Sequence, residues 1–234
     1  MNKELVFVKD MFDKIAPHYD FLNRLLSLRQ DTVWRRHMVD AAAVSPGDTI
    51  LDVACGTCDV TLEAARRMEN QGRLIGVDFS FGMLELGAAK LRRLGNQCIQ
   101  LVNGNALSLS FGDNWVDAVF IAFGIRNIMD RQGALEEFFR VLKPGGRVVV
   151  LELTTPESGL FRHIYLSYFQ KILPRIGALF SKDDNAYSYL PESVLKFPDA
   201  PAFARIMKSA GFHGIRFKPM TFGIVTLFVG TKPE

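Results

Sequence analysis

The sequence predicts an α/β fold: a doubly wound, mostly parallel seven-stranded sheet with an antiparallel edge pair, N-terminal helices and a helical lid insertion. Three observations predict it. Between residues 49 and 153, short apolar runs alternate with stretches of helical periodicity, and strands joined by helices of that length imply right-handed crossovers and a parallel sheet. The first apolar run opens into small residues, Cys55-Gly56-Thr57. The last two runs are close enough to pair antiparallel.

The elements follow in order. Residues up to about 44 read as helix, with Phe12, Ile15, Tyr19, Leu22, Leu25 and Leu26 at helical spacing; Pro17 breaks or starts a segment there. Ser45-Pro46-Gly47-Asp48 is a turn. Residues 49–54 are strand, 59–68 helix, 73–77 strand and 81–94 helix. Residues 98–102 and 116–122 are strands. Residues 133–142 form a helix that stops at the breaker Lys143-Pro144-Gly145-Gly146, and 147–153 is the fifth strand. Residues 156–198 leave this rhythm, with an aromatic helix-like stretch at 161–173 and a polar turn region at 181–189, and read as an insertion over the site. A helix at 200–210, ended by Gly211-Phe212, precedes strands near 215–217 and 224–229. The chain divides as a helical cap (1–45), a cofactor-binding core (46–155), a lid (156–199) and a C-terminal helix with its strand pair (200–234), all within one domain.

Composition excludes several classes. The chain has 234 residues, 48% hydrophobic and 23% charged, an ordinary globular mixture long enough to bury a core. Its net charge of +3, from 28 basic and 25 acidic residues, is too near balance for a nucleic-acid partner. Three cysteines, an odd count with no disulfide framework, indicate a reducing, cytoplasmic setting. No signal peptide is visible, and no uncharged apolar run approaches the roughly 18 residues of a spanning helix. Contact with the inner face of a membrane stays compatible with this. A homodimer is the assembly expected.

Ligands of open α/β sheets bind beyond the carboxyl ends of the strands, at the switch point. Residues 49–54 lead directly into Cys55-Gly56-Thr57, where small side chains admit a ligand to the backbone and the next helix offers unpaired N–H groups. Asp78 ends the second strand 22 positions after Gly56. A carboxylate there suits a ribose diol, because it accepts two hydrogen bonds. The pattern fits NAD, FAD or S-adenosylmethionine; the absence of G-x-G-x-x-G weighs against NAD. Asn105 follows the third strand, where an amide pairs with an adenine edge or simply forms a turn. Asp52 either holds the loop or meets the cofactor's amino group. Cys55 and Cys58 form a C-x₂-C with no second pair at zinc spacing, so no metal is expected.

These residues belong to longer motifs. They include Met11-Phe12-Asp13-Lys14-Ile15-Ala16 with Tyr19-Asp20 and Asn23, Asp31 with Trp34-Arg35-Arg36, LDVACGT at 51–57 and GVDFS at 76–80. Later come IAFGIRN at 121–127, RVLKPGG at 140–146, YSYLPESV at 187–194 and Phe197-Pro198. On them the chain resembles, nearly end to end, the ubiquinone/menaquinone biosynthesis C-methyltransferases. The loop motif is common to many methyltransferases; the start motif, IAFGIRN and YSYLPESV are more specific. The resemblance implies a Rossmann-like class I methyltransferase fold and S-adenosylmethionine as cofactor. It also implies C-methylation of a polyprenylated quinol ring, demethylmenaquinol or the equivalent ubiquinone precursor. Thr57, Asp78, Asn105 and Ala106 match cofactor-contacting positions, and Asp52, Ala54, Gly56, Phe79 and Ala122 join that set from the same segments. Where the family usually has glycine, this chain has Arg29 and Cys58.

Carbon methylation needs the ring carbon aligned with the methyl group and the neighbouring hydroxyl deprotonated or held as an oxyanion. Arg126 and Asn127 follow the fourth strand and belong at the carboxyl edge. Arg126 suits an oxyanion through its fixed charge and is a poor proton acceptor; the resemblance marks it as catalytic, directly or through a water. Tyr19 completes the catalytic set, ahead of His18 and Asp20, on an N-terminal segment that folds over the pocket. Tyr187 and Tyr189 shape the quinol pocket. Residues 160–173 combine aromatic bulk and positive charge, fitting a prenyl-tail lid or an interfacial helix as well as a core-packing one. Two other readings compete: methylation of another phenolic small molecule, and a non-catalytic S-adenosylmethionine-binding accessory protein of quinone synthesis.

Overall fold

The computed structural model describes residues 11–13, 16, 19–156, 162–163, 165, 167 and 184–234. Two helices come first, α1 (Tyr19–Leu26) and α2 (Gln30–Ala42). Then β1 (Thr49–Val53), α3 (Asp59–Arg67), β2 (Arg73–Asp78), α4 (Phe81–Arg93), β3 (Ile99–Asn103) and β4 (Val116–Ala122) alternate. After a 3₁₀ turn, Ile125–Asn127, come α5 (Arg131–Val141), β5 (Leu142–Leu153), α6 (Asp184–Leu195), α7 (Ala200–Ser209), β6 (His213–Met220) and β7 (Val225–Thr231). The seven strands form one sheet in the order β3-β2-β1-β4-β5-β7-β6. All pairs are parallel except β5 with β7 and β6 with β7, as the sequence predicts.

Alternation along the strands sorts the core into two layers. Ile50, Leu74, Val149 and Leu151 face one apolar cluster with Met38 of α2 and Ala64 and Ala65 of α3. Leu51, Ile75, Val148 and Val150 face the other, with Phe138 of α5 and Phe203 of α7. Successive strand side chains point to opposite faces, and helices cover both, so these strands are apolar throughout.

The structure departs from the sequence reading in four places. The N-terminal helix is broken, because Leu28 and Arg29 adopt left-handed conformations (φ 50° and 63°). Arg29 is thus a non-glycine residue where glycine costs least. Cys58, at φ 70° before α3, is another such position. Residues 184–189, read as polar turn, belong to α6, with Pro191 inside the helix; tertiary packing of Leu190 and Val194 with Tyr165 overrides local turn propensity. The Lys143–Gly146 breaker ends α5 as expected, yet pairing with β4 already begins at Leu142. The partner of β4 then jumps from Leu142 to Arg147, and the displaced segment bonds Lys232 through Gly145 N–H to its carbonyl (2.9 Å) and Gly146 carbonyl from its N–H (2.9 Å). Finally, β6 extends well beyond 215–217. Of the stretch at 161–173, only residues 162–163, 165 and 167 are described, and His18 lies outside the described residues.

One polar contact crosses the core. The fully buried Asp52 of β1 accepts from Thr61 Oγ1 of α3 at 2.5 Å. Burial pushes its carboxyl up to about 7, against the lowering effect of the Thr61 hydrogen bonds.

Two predictions follow from these positions. Arg29→Gly relieves left-handed strain at an exposed residue and should stabilise the chain by about 0.5–1 kcal/mol, visible as a higher thermal midpoint. Asp52, with its folded pKa raised, contributes full stability below its unfolded value and loses it as pH rises toward about 7. Asp52→Asn should therefore gain stability between about pH 5 and about pH 8, by roughly 2 kcal/mol across that range in urea titrations of the cofactor-free protein. An identical change at both pH values would assign Asp52 an ordinary titration.

Candidate active site

The crossovers from β1 and β4 leave in opposite directions, so the sheet order reverses between them. Such a reversal opens a crevice at the carboxyl ends of the strands. Both chains turn sharply on leaving it: Ala54 after β1 (φ 54°) and Phe123 after β4 (φ 57°) are left-handed. Strain of this kind, about 1–2 kcal/mol per residue, is found where a site requires it. The two loops nearly touch. A Cβ on Gly124 would lie 2.7 Å from the Ala54 Cβ, so only glycine lets the IAFGIRN segment approach the β1 loop.

The crevice encloses about 810 Å³ including its open mouth. Every sequence-predicted cofactor residue except Asp52 and Thr57 lines it: Ala54, Gly56, Asp78, Phe79, Asn105, Ala106 and Ala122. Phe12 of the N-terminal segment also lines it. Asp78 is its central polar group. One carboxylate oxygen accepts the Gly56 N–H (2.7 Å) and the other the Ser80 N–H (2.8 Å). Burial pushes the Asp78 carboxyl above the usual range, opposed by these N–H groups and assisted by Asp13. Each carboxylate oxygen retains capacity for a further donor. Ser80 caps α4 by accepting from Met83 N–H (3.1 Å) and donates to Asp13. Asn105 accepts the Leu107 N–H (3.0 Å), so the turn role and a place on the crevice wall coexist in one residue.

Asp52 and Thr57 line an adjoining recess with Arg35 and Asp59. The Thr57 hydroxyl donates to Asp20 of α1 (2.5 Å) and accepts from Lys90 of α4 (3.0 Å). Lys90 also pairs with Asp20 (2.5 Å) and Asp59 (2.8 Å). Arg35 of α2 pairs with Asp31 and Asp59, the latter at 3.3 Å. Burial opposes the charge on Asp59, but Arg35 and Lys90 outweigh it and hold the carboxyl below its usual range. This network ties both N-terminal helices to the loop that follows β1. The thiols of Cys55 and Cys58 are buried beneath it. The Cys55 thiol is pushed well up by its hydrogen bond with Cys58 and by burial. A Cβ on Gly87 of α4 would stand 2.7 Å from the Cys58 sulfur, so that glycine makes room for the thiol.

The catalytic candidates occupy different settings. Asn127 lines the crevice, and its Oδ1 accepts from the Tyr189 hydroxyl of α6 (3.1 Å). Arg126 lies at the carboxyl edge of β4 but is buried. Its Nη1 donates to Glu152 Oε1 of β5 (2.8 Å) and to the Phe123 carbonyl. The structure thus brings Asn127 to the crevice and turns Arg126 toward Glu152. Tyr19 opens α1, and its side chain, like that of Tyr187, lies outside the described residues. Sequence reasoning missed Glu152, although a single acid ending the apolar run Val148–Leu151 was a usable signal. It also missed Lys90, which in sequence is indistinguishable from any basic residue closing a helix.

The chain is 48% identical over 228 residues to the ubiquinone/menaquinone biosynthesis C-methyltransferase UbiE of Geobacter sulfurreducens, covering 96% of this chain and 88% of that one. It is 41% identical over 227 residues to the demethylmenaquinone methyltransferase of Bacillus cytotoxicus, covering 97% and 96%. Among solved structures, the [4+2]-cyclase SpnF superposes with a TM-score of 0.71 at 18% identity, over 97% of this chain and 95% of that one. A SAM-dependent methyltransferase from Aquifex aeolicus superposes with a TM-score of 0.63 at 17% identity, over 84% and 88%; these likenesses concern the fold. The model of the ubiE/COQ5 methyltransferase family matches residues 1–232, and the chain belongs to that family.

Proposed function

We propose that this chain methylates a ring carbon of a polyprenylated quinol, demethylmenaquinol or the corresponding ubiquinone precursor, with S-adenosylmethionine as donor. It is an S-adenosylmethionine-dependent C-methyltransferase of quinone biosynthesis by its family and relatives; the ring and the residue roles are the finer reading. The observation that carries it is the crevice at the β1–β4 switch point, lined by both Asp78 and Asn127.

The residues fit the donor. Asp78 suits the ribose diol, Asn105 and Ala106 the adenine, and the recess holding Asp52 and Thr57 the amino-acid end. When bound, S-adenosylmethionine would supply an electrophilic methyl group for the ring carbon, held by these residues. Apolar walls built from Val53, Val77, Phe12 and Phe123 exclude water and hold the ring against it. Asn127, held by Tyr189, is placed to orient the quinol hydroxyl. Arg126 supplies fixed positive charge for the phenolate that forms on deprotonation. Tyr19 is the third member proposed for this set.

A long prenyl tail is insoluble, which favours a site opening against a membrane. The described surface supports such peripheral contact. On α1, Phe21 (56% exposed) and Leu25 (43%) lie one turn apart, with Leu28 (82%) just beyond the helix, while the neighbouring Leu22 is buried. Arg24 and Arg29 flank them. An apolar stripe bordered by arginines suits an anionic lipid surface. No helix among the described residues is long and apolar enough to cross a membrane.

Methyl transfer should occur from S-adenosylmethionine to demethylmenaquinol or the demethyl-ubiquinol precursor, and Arg126→Ala should lower kcat by about 10²-fold or more. Wild type that methylates neither quinol would overturn the assigned substrate, and full rate in Arg126→Ala would overturn its catalytic role. Sedimentation with vesicles containing phosphatidylglycerol should show salt-sensitive binding that Leu28→Glu weakens; no salt-sensitive binding would remove the membrane contact.

A further inference from the structure

The buried Arg126–Glu152 pair has no explanation in stability. Taking two charges out of water costs several kcal/mol, and apolar residues of similar volume are often as stable or better. The pair also leaves a donor unmet: Arg126 Nε is buried without a hydrogen-bond partner, and such a group is costly and requires a reason. Glu152 is fully buried at the end of β5, between β4 and β7 in the sheet. One oxygen accepts from Arg126 Nη1 (2.8 Å) and from the Leu153 N–H (2.8 Å); the other accepts from the Arg126 backbone N–H (3.1 Å). A single carboxylate therefore grips the side chain and the main chain of the same residue. From the other side, Arg131 Nη2 donates to the Arg126 carbonyl (3.0 Å). The turn so fixed carries Asn127, which lines the crevice.

We propose that Glu152 is a positioning residue for methyl transfer: it anchors the Arg126–Asn127 turn to the sheet and holds the Arg126 guanidinium in one place relative to the acceptor's oxygen. This rests on Arg126 acting in the reaction. A guanidinium on an unrestrained side chain samples many rotamers, and ordering it during the reaction would add to the barrier. Anchored on a rigid strand, that ordering is completed during folding. A second arginine, Arg131, bonds the Arg126 carbonyl and lies near the same carboxylate. The resulting surplus of positive charge suits an acceptor that becomes anionic.

The test is a double-mutant cycle on the full chain, with a short-chain demethylmenaquinol as acceptor and S-adenosylhomocysteine affinity measured by calorimetry. Glu152→Gln keeps size and an acceptor for the Arg126 backbone N–H but removes the charge. It should lower kcat about 10–100-fold, with acceptor KM and S-adenosylhomocysteine affinity within about twofold of wild type. Glu152→Asp, which retains the charge, should fall between the two. In the Arg126→Ala background, Glu152→Gln should produce no further loss of kcat. Wild-type kcat in Glu152→Gln, or multiplied losses in the double variant, would overturn the proposal. Full rate in Arg126→Ala would instead overturn the catalytic reading of Arg126 on which it rests.

Discussion

The close approach of two loops at the β1–β4 switch point is the constraint on which the rest of the molecule depends. Two strands leave the sheet with left-handed residues, Ala54 and Phe123, and Gly124 sits almost against Ala54. The crevice exists because these turns are tight. Their strain is balanced by surrounding bonds: Asp78 holds the Gly56 N–H, and the Phe123 N–H is held by the Leu151 carbonyl at 2.7 Å. The floor of the site is therefore made of backbone under tension rather than of mobile side chains.

Around that floor, charge acts as mortar. Asp20, Thr57, Lys90, Asp59, Arg35 and Asp31 link α1 and α2 to α3 and α4 across the recess. Most of these groups are largely buried, so their attraction is screened less than that of surface pairs, and loss of one partner leaves another charge uncompensated. The N-terminal helices are consequently tied to the walls of the crevice. A disturbance in α1 would reach the loop after β1 through Asp20 and Thr57.

The fold was legible in the sequence because its determinants are periodic. Apolar alternation at β1 to β5, with intervening helices, leaves one reasonable topology, and Asp78 and Asn105 sit where strand ends place them. What resisted reading depends on three-dimensional neighbours. Leu28 and Arg29 show no propensity for a left-handed break. The Lys143–Gly146 segment looks like a plain terminator until Lys232, some ninety residues later, is seen to bond it. Arg126 was recognisable as a candidate, but its direction was not, because only the fold brings Glu152 beside it.

Cys58 carries a consequence for how such a chain changes over time. Its sulfur occupies the space above Gly87, and a side chain at 87 would meet it at 2.7 Å. With glycine at 58, a Cβ at 87 would meet only the Gly56 carbonyl (3.4 Å) and Leu101 (3.5 Å), which are ordinary contacts; with cysteine there, it clashes. The two sites are epistatic: replacing the thiol is permissive for a small side chain at 87, whereas the reverse order passes through a clash beside the loop after β1.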